Sequence, residues 1–508
     1  MKKIYFSLLL VLVGLVTSCD MNKEPYGSLV EDKAIQSMQD ISRFRGGVYT
    51  SLRSMSTGSW VDYQDLQMDE FHGLVSNQNR NGDISAGTFN ASTPEFASYW
   101  GGCYSVIAKA NYLIREADKM KGNTLLPADS LVRIGQYKAD GQFLRAYAYF
   151  FLAEHFCQAY TADNATKANA GLPIVTEYNP TGVVSAYPGR STMEDTYKLI
   201  ENDLNEAYTG LKAAEDAGLN PVRPMSAYLT SNAVLALQAR IALYKGDYVT
   251  ALAKAKQVID GGTYALTAKA DINVLWTSDI SNEIIFRPFQ SKAEKGGTTA
   301  TPYESGDNNA AADYIPTFAT LEMYGDAGDL RFQTYFSQWH LDVEGTRYLA
   351  YVLNKYPGNE TLKTSQSKNY QNMGKPFRLS ELYLIAAEAA YRTGNEVDAN
   401  LYLNDLRKQR INNYTASQST GTTLLSNIKS ERKKELLGEG FRFYDLKRWQ
   451  EGFTRYASHQ ENPNLNAIVR RDSRSVSYVV NDYRFTWPIP KEELDANPQI
   501  KGQQNPGY

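Results

Sequence analysis

The chain has 508 residues, of which 43% are hydrophobic and 21% are charged, fractions that are ordinary for a soluble globular protein and exclude a disordered, collagen-like or polytopic membrane chain. The length allows about three domains or one large domain. The 53 Lys and Arg residues nearly balance the 56 Asp and Glu residues, so we expect no basic surface that would bind nucleic acid.

The N-terminus has the features of an export signal. Lys2 and Lys3 precede an apolar run over residues 4–16, which is too short to span a bilayer and about right for a signal peptide. Small residues and then Cys19 follow this run directly. The pattern is that of a lipobox, which predicts cleavage before Cys19 and attachment of a diacylglycerol to its thiol. The alternative is an ordinary signal peptide followed by a chance cysteine.

The lipobox sets the predicted organisation of the N-terminal part. Residues 1–18 are predicted to be a lipoprotein signal peptide, and the polar residues 19–39 a lipidated tether. Several acyl chains, palmitate among them, anchor a protein stably, whereas one chain is marginal. The other cysteines, Cys103 and Cys157, lie inside apolar helical patterns. Two cysteines do not make a disulfide framework, so we expect buried free thiols and leave a single disulfide open.

Apolar residues at spacings of three and four predict helix over most of the chain. A first helix is predicted from about Asp40 to Arg53, and Pro94 lies at a favoured helix start. Residues 56–92 are rich in Gly, Asn and Ser and are predicted to be a long structured loop. Further helices are predicted over residues 128–159 and after Ser191.

Two later segments resemble each other. Each predicts a helix, a tight turn and a second helix, with the turns at Gly246-Asp247 and Gly394-Asn395. In each, an Ala stands five residues after the Gly, and small Ala residues allow two helices to pack closely, as in tetratricopeptide hairpins. We therefore predict a mainly α fold, with tetratricopeptide-like helical hairpins in an α-superhelical scaffold.

Long irregular insertions interrupt this scaffold. Residues 290–375 are rich in Gly, Asn, Thr, Tyr and Pro, and such stretches are often functional. Residues 477–490 are predicted to be extended.

Searches for catalytic and metal-binding motifs find nothing specific. The four His residues have no zinc spacing, and Walker A, Gly-x-Ser-x-Gly and Gly-x-Gly-x-x-Gly motifs are absent from the sequence. A calcium-loop-like run at 77–88 lacks the acidic first and last ligands. We therefore expect no cofactor, no catalytic residue and no metal ligand, and leave a structural cation open.

Five blocks of sequence carry a resemblance to a known family. They include the helix GQFLRAYAYFFL at 141–152, the Gly171-Leu-Pro173 segment, and Cys19. The most specific blocks are IKSERKKELLGEGFRFYDLKRW at 428–449 and the tail WPIPKEELDANP…QNPGY at 487–508. Together they resemble the SusD/RagB family of outer-membrane nutrient-binding lipoproteins over essentially the whole mature chain.

The resemblance implies a single SusD-like domain over residues 40–508, with N-terminal helices and binding insertions over about 40–375 and C-terminal signature helices and a strap over about 376–508. It implies a lipid-anchored protein, exposed at the surface of the outer membrane. Such a protein binds an oligosaccharide, or in some members a peptide, and delivers it to a SusC-like TonB-dependent transporter. It implies no enzymatic activity.

Glycan sites of the family combine aromatic rings with Asn and Arg side chains on insertions, because sugar faces stack on rings and hydroxyls need polar partners. Two insertions of this chain fit that description, the second of them with Trp339 beyond it. The predicted ligand-binding residues are His72, Asn77, Asn79 and Arg80 in the first insertion, and Tyr303 and Tyr314 in the second. Trp60 is a further candidate, and Trp276 is predicted to be core.

The signature residues also have a purely structural interpretation. Phe441, Phe443, Tyr444 and Trp449 are predicted to be core, and Glu431, Arg432, Glu435 and Arg442 an ion network. Two other functions stay open. A surface glycoside hydrolase would need two positioned carboxylates in a cleft, and a purely structural surface protein would have no concave aromatic patch.

Overall fold

The structure, a computed structural model, is mainly helical, as the periodicity predicts. Cys19, the predicted signal peptide and most of the predicted tether lie outside the described residues. The described residues are 34–122, 125–305, 311–456, 460 and 462–508.

Seventeen α-helices lie within these residues. In chain order they are α1 Met38–Met55, α2 Ser59–Leu66, α3 Gly82–Ala86, α4 Pro94–Lys121, α5 Ala128–Phe156, α6 Met193–Asp216, α7 Ser231–Lys245, α8 Tyr248–Asp260, α9 Ile272–Thr277, α10 Phe318–Glu322, α11 Leu330–Tyr335, α12 Leu379–Arg392, α13 Glu396–Lys408, α14 Gly421–Glu435, α15 Arg442–Trp449, α16 Arg471–Arg474 and α17 Lys491–Ala496.

The strands are short and form four two-stranded antiparallel sheets within the described residues, paired β1–β3, β2–β6, β4–β5 and β7–β8. The strands are β1 Phe71–Gly73, β2 Ile284–Phe286, β3 Tyr314–Pro316, β4 Phe336–Val343, β5 Thr346–Leu353, β6 Phe377–Arg378, β7 Phe453–Arg455 and β8 Val476–Tyr478.

The N-terminal helices form a bundle. Helix α1 begins two residues before the predicted start, because Ser37 and Asp40 form a capping box at its N-terminus. Helix α5 packs against both α4 and α6. Cys103 and Cys157 are buried and free, as expected from their apolar surroundings.

The two predicted helical hairpins are confirmed. Helices α7 and α8 meet at Gly246, and α12 and α13 meet at Gly394. Both glycines have a positive φ, 77° and 84°, which residues with a Cβ adopt at a cost. The two hairpins are neighbours, because α12 packs against α7 and α8. Ala251 and Ala399, five residues after the glycines, are fully buried in these seams.

The prediction of a continuous loop over 56–92 is wrong. This stretch holds the helices α2 and α3 and the strand β1. Each element is too short to show a helical or strand period. Their apolar residues are buried by distant segments, with Leu66, Phe71 and Leu74 in a second hydrophobic core.

The description of 290–375 as irregular is also wrong in part, because it holds the eight-residue strands β4 and β5. Trp339, Leu341 and Val343 of β4 are buried, whereas His340 and Asp342 between them are exposed. This alternation is the pattern of a sheet with one face covered. The connection is the two-residue Glu344-Gly345 turn, with positive φ at both residues, as hairpin turns require.

The signature block is largely structural. Phe443 and Tyr444 are buried, as predicted. Phe441 and Trp449, however, are only half-buried, which corrects the prediction that both are core. Trp449 lies at the end of α15, where its Nε1 donates to Glu388 at 2.8 Å.

The predicted ion network is present and buried. Glu435 accepts hydrogen bonds from Arg331, Arg378 and Arg410 at 2.9–3.2 Å. Glu431 and Arg432 belong to neighbouring buried pairs. Arg442 pairs with Asp69 at 2.8 Å, and Trp276 is buried beneath these charges, as predicted.

Candidate functional site

The two predicted binding insertions meet in space. Strand β1 of the first pairs antiparallel with β3 of the second, with Phe71 opposite Pro316 and Gly73 opposite Tyr314. The Tyr314 hydroxyl donates to the backbone oxygen of Arg80 at 2.7 Å. We call this pairing of β1 with β3 the insertion junction. It joins segments that are more than 200 residues apart in the sequence.

An ion pair closes the outer side of the junction. Arg80 Nη1 lies 2.9 Å from Asp313 Oδ2. The Arg80 side chain is about half exposed, at 53%, whereas that of Asp313 is only 8% exposed. Burial raises the pKa of Asp313 to about 6, and the Arg80 guanidinium opposes this rise. The exposed part of Arg80 leaves donors that can reach a ligand at the surface.

The predicted polar residues of the first insertion have different surroundings. Asn79 and Arg80 are exposed. His72 is buried in β1 with its Nδ1 at 3.0 Å from the backbone oxygen of Ser473. The side chain of Asn77 lies outside the described residues. Ligand contact by these four residues stays a prediction, and His72 is covered by the segment around Ser473.

The two predicted tyrosines are not exposed rings. Tyr303 and Tyr314 are both 0% exposed. The Tyr303 ring packs on Phe71 at 4.7 Å between centroids, inside the second hydrophobic core. A sugar cannot stack on a ring that has no free face, so we correct the prediction that these rings form an open platform. Trp339 is buried in the same core.

A shallow groove lies beside the junction. It has a volume of about 600 Å³ and is lined by Thr346–Leu349, Asn462–Asn464 and Ala467. Arg347 and Leu349 are exposed and Tyr348 is half-buried. Asn462 Nδ2 donates to the backbone oxygen of Leu349 at 3.2 Å, which ties the two walls together. We call this feature the β5 groove.

The groove and the junction are parts of one assembly. Strand β5 packs against β3 of the junction. The Gln460 side chain bonds the backbone of Tyr351 in β5 and the oxygen of Pro316 in β3. On the other wall, Val75 beside β1 donates to the backbone oxygen of Ile468 at 2.8 Å. A ligand in the β5 groove would lie between β5 and the 462–467 segment, both of which these contacts tie to the junction.

The chemistry of the groove matches a neutral polar ligand. Its lining supplies a half-buried phenol ring, a guanidinium and two Asn side chains, and it contains neither Asp nor Glu. Amide groups both donate and accept hydrogen bonds, and a ring offers an apolar face, which is the combination that sugar hydroxyls and C–H faces need. A pair of carboxylates for glycoside hydrolysis is not found among these lining residues.

Sequence reasoning missed the β5 groove. The signal that could have revealed it is the alternation of apolar and polar residues over 339–343, followed directly by the Glu344-Gly345 turn. The 462–467 wall carries no such signal, because it is a short 3-10 helix placed by contacts with β5.

A second, aromatic cavity is too small for a sugar. It lies between α2, α5 and α15, has a volume of about 70 Å³, and includes Trp60 in its lining. A cavity of about 150 Å³ can hold a benzene ring, and this one has less than half that volume. Trp60 is half-buried against Tyr99 at 4.3 Å.

Membrane-spanning helices and three-residue metal sites are both absent from the described residues. No helix there is both long and apolar enough to cross a membrane. No group of three His, Cys, Asp or Glu side chains in the same part of the chain is arranged to hold a metal ion.

Comparison with protein families gives two matches. The SusD family matches residues 342–508. A second family, described as "starch-binding associating with outer membrane", matches residues 21–243.

Individual relatives match this chain over nearly the whole of its length. A SusD-like protein of Formosa agariphila is 21% identical, over 99% of this chain and 98% of its own. The crystal structure of a putative sugar binding protein from Bacteroides vulgatus is 28% identical, with a TM-score of 0.76, and covers 94% of this chain and 99% of its own. A SusD superfamily structure from Bacteroides thetaiotaomicron is 25% identical, also with a TM-score of 0.76, and covers 93% of this chain and 100% of its own.

Proposed function

Because this chain belongs to the SusD/RagB family, we propose that it binds an oligosaccharide at the cell surface and delivers it to a SusC-like TonB-dependent transporter in the outer membrane. One of its relatives is described as a sugar binding protein, and one matching family as starch-binding and associated with the outer membrane. In this proposal residues 1–18 are the signal peptide, 19–39 the tether and 40–508 the binding domain.

The β5 groove is the observation that carries the proposal for a sugar. It is open and shallow, with Tyr348, Asn462 and Asn464 along its walls. Exposed Arg80, at the edge of the adjoining junction, supplies further donors. A partly wet groove of this kind gives modest affinity, because each ring contact gains little apolar area and each hydroxyl exchanges water for protein.

Binding without catalysis fits this chemistry. Hydrolysis of a glycosidic bond needs an acid and a second carboxylate on opposite sides of the bond, and the lining of the β5 groove supplies neither. Beside the groove, Asp342 is paired with the lining residue Arg347 at 3.1 Å, and Asp313 in the adjoining junction is buried and paired with Arg80.

We expect Tyr348→Ala and Asn464→Ala each to weaken oligosaccharide binding about five- to thirtyfold, which corresponds to about 1–2 kcal/mol. The first change removes the ring that would stack on a sugar face, and the second removes an amide that would bind hydroxyls. The measurement is isothermal titration with the best ligand from a glycan array that includes maltooligosaccharides.

Gln338→Ala is the matched control, because Gln338 is exposed on the same hairpin but does not line the groove. It should bind as the parent does. Unchanged affinity in both groove variants would place the sugar elsewhere, with Arg80→Ala the next variant to titrate. A parent protein that binds no glycan of the array but retains peptides from a protein digest would favour the peptide-binding alternative.

We expect Cys19→Ala to move the protein from the membrane fraction to the soluble fraction. The proposed anchor is the acyl chains on this thiol, and no helix within 34–122, 125–305, 311–456 and 462–508 can span a bilayer. The measurement is fractionation of cells that lack the partner transporter, followed by immunoblotting.

Cys103→Ala is the control, because Cys103 is buried in α4 and cannot carry a lipid in the folded protein. It should stay with the membrane. Retention of the Cys19→Ala protein in that fraction would contradict the lipid anchor.

A further inference from the structure

Three buried carboxyl groups lie beneath the insertion junction. Asp62 and Asp65 stand on one face of α2, and Glu70 immediately precedes β1. They are only 3%, 0% and 1% exposed. In each carboxyl group, one oxygen has no hydrogen-bond partner within the described part of the chain. The hydroxyl of buried Tyr303 also has no such partner there. We call Asp62, Asp65 and Glu70 the carboxyl cluster.

The cluster is attached directly to the junction. The backbone oxygen of Glu70 accepts from Thr317 N at 2.9 Å and from Thr320 Oγ1 at 3.0 Å, at the end of β3. The next residue, Phe71, packs on Tyr303. A movement of Glu70 would therefore shift both strands of the junction.

The nearby cations are bound by other carboxylates. Lys433 and Arg442, which face Glu70, both bind Asp69 at 2.8 Å. Lys355, which faces Asp65, binds Glu439 at 2.7 Å. The Oδ2 atom of Asp65 accepts from the backbone N–H of Gly440 at 2.7 Å.

The other groups facing the cluster are acidic or neutral. Asp65 faces Asp62, Glu70 and Glu439. Tyr303 and Tyr356 face Asp62 and Asp65, and Asp69 also faces Glu70. Three charged carboxylates in such a place would repel one another without water to screen them.

We propose that Asp62, Asp65 and Glu70 hold the insertion junction together in their protonated form, so that the ligand surface loosens as they ionise. A protonated carboxyl carries no charge and can donate one hydrogen bond, so the protonated cluster avoids the mutual repulsion of three buried charges. Each ionisation removes a donor and adds a buried negative charge.

The electrostatics of the cluster agree with this geometry. Burial, together with the charge of Asp65, raises the pKa of Asp62 and of Glu70 well above their usual values. Burial raises the pKa of Asp65 to about 7, against the lowering effect of its backbone hydrogen bonds. The same groups in the unfolded chain ionise near pH 4.

The direction in which folding stability changes with pH follows from these raised pKa values. Between about pH 4 and pH 7 the folded chain holds protons that the unfolded chain has lost, so folding stability falls as the pH rises. Each such group lowers the folding equilibrium constant about tenfold per pH unit within its window. Under the proposed function, affinity for the oligosaccharide should fall in the same direction.

The test compares thermal unfolding of the parent with that of Asp62→Asn and Asp65→Asn from pH 5 to pH 8, in the full mature chain. Asparagine keeps the shape of the side chain but cannot ionise. We expect both variants to resemble the parent at pH 5 and to have a higher Tm than the parent at pH 8. Asp163→Asn, at an exposed position, should follow the parent throughout.

If Asp65→Asn does not fold, Asp62→Asn is the deciding variant, because the buried Oδ1 of Asp62 has no hydrogen-bond partner to lose among the described residues. Hydrogen exchange of the backbone amides of residues 71–73, 314 and 315, corrected for the intrinsic rate, should accelerate with pH in the parent more than in Asp62→Asn. Parallel Tm curves for the parent and Asp62→Asn would overturn the proposal.

A measurement with added calcium distinguishes protonation of the carboxyl cluster from binding of a metal ion. The proposal expects 5 mM CaCl2 to leave the Tm of the parent at pH 8 unchanged. A rise that is seen in the parent but absent from Asp62→Asn would show a cation site and overturn the protonated cluster. None of these measurements needs the ligand, so their failure is distinct from a failure of the proposed glycan binding.

Discussion

Glu435→Gln is expected to lower the free energy of unfolding by at least about 3–5 kcal/mol. Glu435 is 0% exposed and binds the guanidinium groups of Arg331, Arg378 and Arg410. Without its charge the three cations share too few carboxylates, and an uncompensated buried charge costs far more than a surface one. The measurement is urea unfolding at neutral pH.

The stability that Glu435 contributes changes with pH in the opposite direction to the stability contributed by the carboxyl cluster. Burial alone would raise the pKa of Glu435, but Arg410 and Arg378 outweigh it and hold that pKa well below the usual value. The same balance lowers the pKa of Glu283 to about 2. The stability that these carboxylates contribute is present above about pH 4.5 and is lost as the pH falls towards 2.

Glu294→Gln is the matched control. Glu294 pairs with Arg53 at 2.9 Å, but its side chain is 57% exposed. Exposed ion pairs contribute about 0–1 kcal/mol, so this variant should unfold close to the parent. A Glu435→Gln protein as stable as Glu294→Gln would show that the arginines find other partners.

Trp487→Ala is expected to destabilise the protein by about 3–5 kcal/mol, as the truncation of a large buried ring does. Trp487 is 0% exposed. Its ring packs on Phe96 at 4.6 Å and on His155 at 4.2 Å, and its Nε1 donates to Gln67 at 2.8 Å. Removal leaves a cavity and an unpaired amide oxygen, which calorimetry would register as a lower Tm.

Trp449→Ala provides the comparison. Both tryptophans belong to conspicuous sequence blocks, but Trp449 is half-buried at the end of α15. Less apolar surface returns to water when it is truncated, so the loss of stability should be clearly smaller than for Trp487→Ala. Equal losses would contradict the assignment of Trp487 to the core and of Trp449 to its rim.

The sequence by itself determined the helical body. The spacing of apolar residues located α4, α5 and α6, and Gly246 and Gly394 located the turns of the two hairpins. These features are local, because a helix period and a positive φ depend on residues a few positions apart. The signature blocks likewise sufficed to place the chain in its family.

Only the tertiary structure decided the surface of the candidate site. Tyr303 and Tyr314 lie in a loop-like stretch of the sequence, yet both are buried because β1 pairs with β3 and covers them. The β5 groove exists because residues 346–349 and 462–464 meet across more than a hundred residues of chain. The carboxyl cluster of Asp62, Asp65 and Glu70 likewise faces Tyr303, which lies more than 200 residues away in the sequence. Exposure and charge pairing depend on which distant segments pack together, and no local spacing encodes that choice.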